Sequence, residues 1–228
     1  MLDSRRQVAL AAAAIVACLA VFQLTDLDLL MQRHLFSVAP GRWIWSRDEA
    51  ISRFLFYDGI KYLIILFAVG SAIALAFSRF SKRLKRSRRG LIIVFLSLLL
   101  VPALVGSLKT ATNIPCPRDL VEFGGDATYA GNIAAILASG HSQPRYRCFP
   151  AGHASGGFAL LSLYFLARTR RQRIGALAIG LGTGWTMGLY KMAIGDHFLS
   201  HTIVTMMLAW LVINLIALFD ARLNRAMT

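Results

Sequence analysis

One ten-residue stretch of the chain combines residue types that could do chemistry. It runs Cys148-Phe-Pro-Ala-Gly-His-Ala-Ser-Gly-Gly157, and an apolar run from Phe158 to Ala167 follows it directly. A tight turn that opens into a helix presents free backbone N–H groups, and such helix starts attract anions. His153 lies at that start, where it could exchange a proton with a bound group. Alone, the stretch fits two interpretations, an anion site or an ordinary turn in which His153 caps the helix.

The composition of the chain indicates a membrane protein. Of its 228 residues 57% are hydrophobic, and the mean hydropathy is +0.58, whereas soluble domains contain about 45–50% apolar residues. The formal net charge is +14. Because the basic residues lie between long apolar runs and not on one polar and aromatic face, nucleic acid is not an expected partner. A chain of this length is expected to form one domain, residues 1–228.

Six apolar runs are long enough to cross a bilayer, which takes about 17–25 residues. The sequence therefore predicts an all-α fold, a bundle of six transmembrane helices whose core covers roughly residues 91–219. The first run follows two arginines, as a signal peptide would, but its length and the lack of a clear cleavage site favour a retained anchor. The six runs are Val8–Leu24, Ile60–Ser78, Leu91–Leu108, Ala151–Ala167, Ile174–Tyr190 and Thr202–Phe219.

The connections between these runs differ in charge, and this difference predicts the orientation. Residues 79–89 contain seven Lys or Arg and residues 168–173 contain four. These connections and both termini are therefore expected in the cytoplasm of a bacterium, with the protein in its inner membrane. The other three connections would face the periplasm. The first of them, Thr25 to Gly59, mixes aromatic and charged residues, which is typical of an amphipathic helix lying in the membrane interface.

Most candidate reactive groups fall at the periplasmic ends of the predicted spans. Snorkelling at a membrane boundary accounts for isolated lysines. It accounts less well for three histidines and two lysines on one face, because histidine is a proton carrier and nucleophile near neutral pH. The groups are Lys109, Arg118, His153, Lys191, His197 and His201.

Three pieces of the sequence resemble the tripartite signature of the type-2 phosphatidic acid phosphatase superfamily, which also includes the vanadium haloperoxidases. That signature reads K-x6-R-P, then P-S-G-H, then S-R-x5-H-x3-D. The order of the pieces and the spacing within each are kept here. The first piece has Cys116 in the arginine position, and the second has Ala151 in the serine position. The third piece has Tyr190 for serine, Lys191 for arginine and His201 for aspartate.

The resemblance implies roles for these residues in a phosphatase that uses no metal and no other cofactor. His197 would attack phosphorus and form a phosphohistidine, and His153 would protonate the leaving group. Lys109, Lys191 and the backbone N–H groups around Gly152 would hold the phosphoryl oxygens. Such a division fits phosphoryl transfer, in which catalysis is mostly positioning and charge stabilisation.

The departures from the signature leave two roles open. The aspartate of the family orients the nucleophilic imidazole, and His201, four residues after His197, could accept a hydrogen bond from that ring. Asp196 or another carboxylate could stand in instead. The missing arginine of the first piece would be replaced by Arg118, or else by Arg145 or Arg147.

The predicted substrate is a membrane lipid phosphate, because the site lies at headgroup depth. Undecaprenyl diphosphate, a lipid A phosphate, phosphatidylglycerophosphate and phosphatidate are all candidates. Two alternatives stay open: a lipid phosphotransferase, and a catalytically degenerate protein that only binds lipid phosphates. A haloperoxidase is disfavoured by the six spans. His197-x3-His201 has the spacing of zinc ligands, but no third ligand is obvious.

Cys116 and Cys148 lie in the same periplasmic connection, whereas Cys18 lies in the first span. Thiols that face an oxidising compartment tend to pair. A bridge between them is therefore predicted, and closing a loop of this size stabilises a fold by roughly 3–4 kcal/mol. The alternatives are two free thiols, or a zinc site with His141 and His153.

Overall fold

The computed structural model describes residues 3–37, 41–138 and 146–226 of the chain. Helices dominate these residues, and one small antiparallel hairpin departs from the predicted all-α fold. A π-helical turn, Phe54–Asp58, joins α3 to α4, and a 3-10 segment, Leu160–Phe165, continues α7. The helices are α1 (Ser4–Leu24), α2 (Leu27–Leu35), α3 (Ala50–Arg53), α4 (Gly59–Ala76), α5 (Lys82–Thr112), α6 (Asn132–Ala138), α7 (Gly152–Ala159), α8 (Arg170–Ala193) and α9 (Leu199–Ala226), and the strands are β1 (Phe36–Ser37) and β2 (Arg42–Trp43).

Four helical segments in the described ranges are long and apolar enough to cross a membrane. They are Ser4–Leu24, Ala50–Arg79, Lys82–Asp119 and Leu199–Asn224, and they correspond to the first, second, third and sixth predicted spans. The chain is thus a largely helical membrane protein. The other two predicted spans coincide with α7 plus its 3-10 continuation and with α8. Neither is among the four, because α7 has only eight residues and α8 is rich in glycine and begins with basic residues.

The main apolar core lies where α5, α7 and α9 meet. Val94 and Val101 of α5 contribute to it, with Phe158 of α7 and Ile213 of α9, and all four side chains are fully buried. α1 packs along α9 at one side of this core. There Phe22 lies against Val204 in a second apolar cluster. Within a membrane, close van der Waals packing of these faces holds such helices together.

α7 and α8 approach each other closely because glycines face each other across their contact. A Cβ atom on Gly157 would lie 2.6 Å from the backbone nitrogen of Gly184, and one on Gly184 would lie 2.2 Å from the Phe158 ring. Neither position has room for a side chain. The glycines thereby set the distance between α7, which carries His153, and α8, which leads to His197.

The connection between α1 and α4 is divided, where the sequence predicted a single interfacial helix. α2 ends at Leu35, and the chain then pairs Phe36 with Trp43 in the hairpin before α3 begins. Gly41 sits in the turn with a positive φ of 72°, a conformation that favours glycine. α2 buries Asp28, Leu29 and Gln32 against the rest of the protein. Its placement in the membrane interface stays a prediction.

The two ends of the bundle are chemically different. At the end that we call the basic end, Arg89 pairs with Asp220 at 2.8 Å, and the Arg168 guanidinium donates to the Ser87 hydroxyl at 2.8 Å. Thr169 caps α8 there by accepting a hydrogen bond from Gln172 N. At the opposite end, which we call the histidine end, α5 finishes, α7 starts and the α8–α9 turn lies.

Candidate active site

His197 lies in the turn between α8 and α9, which is locked by its own backbone. Asp196 N donates to Lys191 O at 2.8 Å, and Gly195 N donates to Met192 O at 3.0 Å. Gly195 has φ of 75°, and a Cβ there would lie 2.3 Å from the Trp43 ring. The turn therefore requires glycine both for its conformation and for its packing. It holds the His197 side chain with only 1% of its surface exposed.

His153 is the second residue of α7, and it does not cap the helix. The N-cap position is Ala151, whose side chain makes no capping hydrogen bond. The His153 Nδ1 atom lies 3.4 Å from Nε2 of His197. The Tyr57 ring packs on His153 edge-on, with ring centroids 4.8 Å apart. The structure thus brings together the two histidines that the sequence places 44 residues apart.

Three of the predicted cations converge on this pair. Lys109 lies in the last turn of α5, and its Nζ is 3.9 Å from where a Cβ of Gly152 would stand. Lys191, near the end of α8, places its Nζ 4.7 Å from the centre of the Tyr57 ring. The backbone N–H of Arg118 donates to Gly195 O at 3.2 Å, which draws Arg118 to the His197 turn. Such a cluster of positive groups fits an anion with several oxygens.

Asp196 is the carboxylate that organises the cations. Lys191 Nζ donates to Asp196 Oδ2 at 2.8 Å, and the Arg118 guanidinium bonds Asp196 Oδ1. The Asp196 side chain is 7% exposed, and that of Lys191 is 9% exposed. The sequence suggested Asp196 as a partner for His197, and in the structure it binds these two cations instead. The sequence did not indicate this contact, because a lysine and an aspartate five residues apart across a glycine turn form no recognisable motif.

The expected hydrogen bond from His197 to His201 is absent. His201 is fully buried between the rings of Phe149 and Phe198, at centroid distances of 5.1 and 5.2 Å. Within the described part of the chain, Nδ1 of His197 has no hydrogen-bond partner, and the polar contact of the His201 ring is with the Cys148 backbone and not with His197. The i,i+4 argument was wrong because α9 begins only at Leu199, so His197 is not on the same helix.

The predicted disulfide is present and joins the first motif to the second. Cys116 and Cys148 are bonded across 32 residues, and both are buried. Of the other candidates near these motifs, Arg147 is exposed, while Arg145 and His141 lie outside the described residues.

Thr205 of α9 joins the second motif to the third. Its hydroxyl accepts a hydrogen bond from Ala151 N at 2.8 Å and donates one to His201 O at 2.7 Å.

Burial governs the protonation of His197. Removal from water lowers its pKa well below the usual value, and the nearby His153, His201, Lys109 and Lys191 lower it further. The imidazole is therefore neutral at neutral pH and keeps the lone pair that a nucleophile requires.

An apolar groove runs from His153 along the outer surface of the bundle, where Ile65, Val69 and Leu99 of its wall are about half exposed. It has a volume of about 590 Å³ and runs between α4, α5 and α7. Tyr57, Lys61 and His153 contribute to its wall at the histidine end. From Lys61 to Ile73 the wall follows α4 for about 18 Å, at a rise of 1.5 Å per residue. The apolar residues along it include Ile64, Ala68, Phe95, Leu98 and Pro102. Sequence periodicity offered no sign of the groove, which exists only between packed helices.

A comparison with protein families identifies the chain. The family model of the PAP2 superfamily matches residues 90–225, which is more than half of the 228 residues. The chain therefore belongs to the PAP2 superfamily, as its three motifs indicated. Membership in this superfamily supports phosphatase or phosphotransferase activity on phosphate esters. Neither the curated proteins nor the solved structures contain a match to this chain.

Proposed function

We propose that this protein is an inner-membrane phosphatase that hydrolyses a lipid phosphate at the periplasmic face through a phosphohistidine intermediate. The observation that carries the lipid assignment is the groove. It is apolar along most of its wall, it is long enough for an extended hydrocarbon chain, and it includes His153. An apolar wall beside His153 would let a lipid tail stay in apolar surroundings and pack along the helices while its phosphate reaches the histidines.

The geometry supports a two-step reaction. In the first step Nε2 of His197 attacks phosphorus, and His153 gives a proton to the departing oxygen. Because the two ring nitrogens are only 3.4 Å apart, an entering phosphoryl group displaces this contact. In the second step His153 takes a proton from water, which attacks the phosphohistidine and releases phosphate. Lys109, Lys191 and Arg118 stabilise the charge on the phosphoryl oxygens.

Two observations support six membrane crossings. α7 starts at the histidine end, beside Lys109, and the chain reaches the basic end by Arg168, which bonds Ser87. α8 then returns to the histidine end, where Lys191 pairs with Asp196. The segment after Gly152 and α8 thus each traverse the bundle, in addition to the four apolar segments. An even number of crossings leaves both termini on the basic side, which the positive-inside rule assigns to the cytoplasm.

The test is phosphate release from detergent-solubilised protein. The substrates are undecaprenyl diphosphate, a lipid A phosphate, phosphatidylglycerophosphate and phosphatidate, and the variants are His197→Ala and His153→Ala. We expect inorganic phosphate from at least one lipid, and a loss of at least 1,000-fold in both variants. An acid-labile phosphoprotein should form in wild type and be absent in His197→Ala. A phosphorylated lipid acceptor without free phosphate would indicate a phosphotransferase. If no lipid is turned over, and if His197→Ala behaves as wild type in cells, the protein is not an enzyme of this kind and only lipid-phosphate binding is left as its function.

A further inference from the structure

Three potential metal ligands lie together beneath the candidate site. The Sγ atom of Cys148 and one ring nitrogen each of His197 and His201 are all within 4.8 Å of one another. Cys148 and His197 are each 1% exposed, and His201 is fully buried. The sequence showed the zinc-like spacing of the two histidines but no third ligand. Cys148 supplies it from 49 residues before His197, through the fold and not through a local motif.

The two histidine rings of this cluster are incompletely satisfied. Within the described ranges, His197 Nδ1 is buried without a hydrogen bond, and the one polar contact of the His201 ring is with the Cys148 backbone. Buried polar groups are normally satisfied, so an unpaired ring nitrogen beside two other potential ligand atoms indicates a capacity to bind a ligand. Neutral imidazole and thiolate are the ligands that zinc prefers, and together they make a soft site.

The disulfide decides whether that capacity is available. A cysteine binds zinc effectively only as a thiolate. The Cys148 sulfur cannot be a thiolate while it is bonded to Cys116. Exchange with a dithiol would convert the bridge into two cysteine thiols, while the dithiol becomes a cyclic disulfide, so that two electrons and two protons pass to the protein. Zinc binding would then release the proton of the Cys148 thiol.

We propose that Cys148, His197 and His201 form a latent zinc site, and that the Cys116–Cys148 disulfide keeps it closed. Zinc bonds are about 2.3 Å to sulfur and about 2.0–2.1 Å to nitrogen, so side-chain shifts of about 1 Å close the cluster around the ion. The fourth position is left to water or a phosphate oxygen. The charge of a bound zinc ion would withdraw electron density from the His197 ring and weaken it as a nucleophile, and the bridge thus protects the nucleophile from zinc.

Two single substitutions test the site with a matched control. Cys116→Ser and Cys148→Ser both remove the disulfide, but only Cys116→Ser keeps the Cys148 thiol. Zinc binding to metal-free protein is measured by competition with a chromogenic chelator. We expect Cys116→Ser to bind one zinc ion per chain beyond the amount bound by Cys148→Ser. Wild type should bind that ion only after treatment with a phosphine reductant, and adding His201→Ala to Cys116→Ser should abolish the binding.

The zinc-binding measurement does not depend on the proposed enzymatic function, whereas the expected inhibition by zinc rests on it. If lipid phosphate is hydrolysed, equimolar zinc should slow Cys116→Ser at least tenfold, with recovery in EDTA, and should leave oxidised wild type unchanged. Equal zinc binding by the two cysteine variants would overturn the proposal, and so would the absence of binding by reduced wild type. Elution of each variant as a monodisperse peak in size-exclusion chromatography shows that it is folded, and reduced wild type carries the test if a variant is not.

Discussion

Asp196 illustrates how single residues at the site depend on contacts that spacing does not reveal. The motif histidines and lysines could be predicted from the sequence, because the family signature assigns each a position. The role of Asp196 could not be predicted, because it depends on Arg118. That residue lies 78 positions earlier in the sequence and contacts Asp196 beside Lys191. One carboxylate thus balances two cations next to the proposed nucleophile, and it limits the electrostatic cost of burying them.

Replacing Asp196 by Asn should destabilise the protein. Lys191 would be left buried without a counterion, while Arg118, whose side chain is 33% exposed, keeps access to water. We therefore expect a loss of about 2–3 kcal/mol, somewhat less than for a fully buried pair. Thermal unfolding in detergent measures it. The matched control is Asp58→Asn, which breaks the exposed Arg53–Asp58 pair and should change stability by less than about 1 kcal/mol. Equal effects in both variants would contradict this role for Asp196.

Lys61 is expected to distinguish lipid diphosphates from monophosphates. Its side chain lines the groove beside His153, and it has no carboxylate partner among the residues the structure describes. In a diphosphate, the phosphate attached to the lipid would lie between His197 and the groove, within reach of this amine. Lys61→Gln should raise KM for the diphosphate about tenfold, which corresponds to one charge-assisted hydrogen bond. KM for a monophosphate should change less than twofold. The control is Arg42→Gln, at an exposed cation outside the groove, and a similar shift for both substrates would refute the assignment.

At the scale of elements, two connections at the histidine end hold the start of α9. Asp28 of α2 accepts a hydrogen bond from Ser200 N at 2.9 Å and another from its hydroxyl. Asn132 of α6 donates to the same hydroxyl at 2.8 Å, and Gln32 donates to Met192 O at 3.0 Å. The turn that carries His197 is therefore clamped from both sides. None of these contacts could be read from periodicity, because each joins elements that are remote in sequence.

The clamp should make stability depend on pH in a specific direction. Burial raises the pKa of the Asp28 carboxyl to about 6, although the Ser200 hydrogen bonds oppose the shift. The folded state thus binds this proton more tightly than the unfolded chain does. Stability should therefore rise as pH falls from about 7 through 6 towards the unfolded pKa near 3.9, by about 2–3 kcal/mol in total. Asp28→Asn removes this dependence. The melting temperatures of both proteins between pH 7 and pH 4.5 test it, and parallel curves would exclude a titrating Asp28.

The contact between α7 and α8 should tolerate no side chain at Gly157. A Cβ there would lie 2.6 Å from the backbone of Gly184, so Gly157→Ala must separate the helices that position His153 and His197. We expect a loss of about 2–3 kcal/mol, as for an overpacked core. Gly156→Ala is the control one residue away, because its Cβ would meet Ile64 at an ordinary 3.6 Å. Alanine in a helix is intrinsically favoured over glycine, so this variant should be neutral or slightly stabilised. Thermal unfolding that ranks the two variants in the opposite order would contradict the close-packing argument.

For the whole molecule, the sequence predicted the apolar spans better than the arrangement between them. Four of six runs could be recognised as membrane segments because length and hydropathy act locally. The helix type of the segment after Gly152 could not be predicted from the sequence, because its early change into a 3-10 segment depends on packing against α8. The groove and the Cys148–His197–His201 cluster likewise exist only where several elements meet.

The polarity of the bundle leads to a prediction about orientation. Lys82 to Arg89 and the end of α9 share the basic end, where Arg89 pairs with Asp220 at 2.8 Å. Positive charge at helix ends is retained in the cytoplasm, so the C-terminus should lie inside and Gly124, beyond α5, should lie outside. A green fluorescent protein fused to the C-terminus should therefore fluoresce, and alkaline phosphatase fused there should be inactive. Fusion after Gly124 should reverse both results. The opposite pattern would place His197 in the cytoplasm, where the reducing environment would open the bridge and expose the Cys148 thiol to zinc.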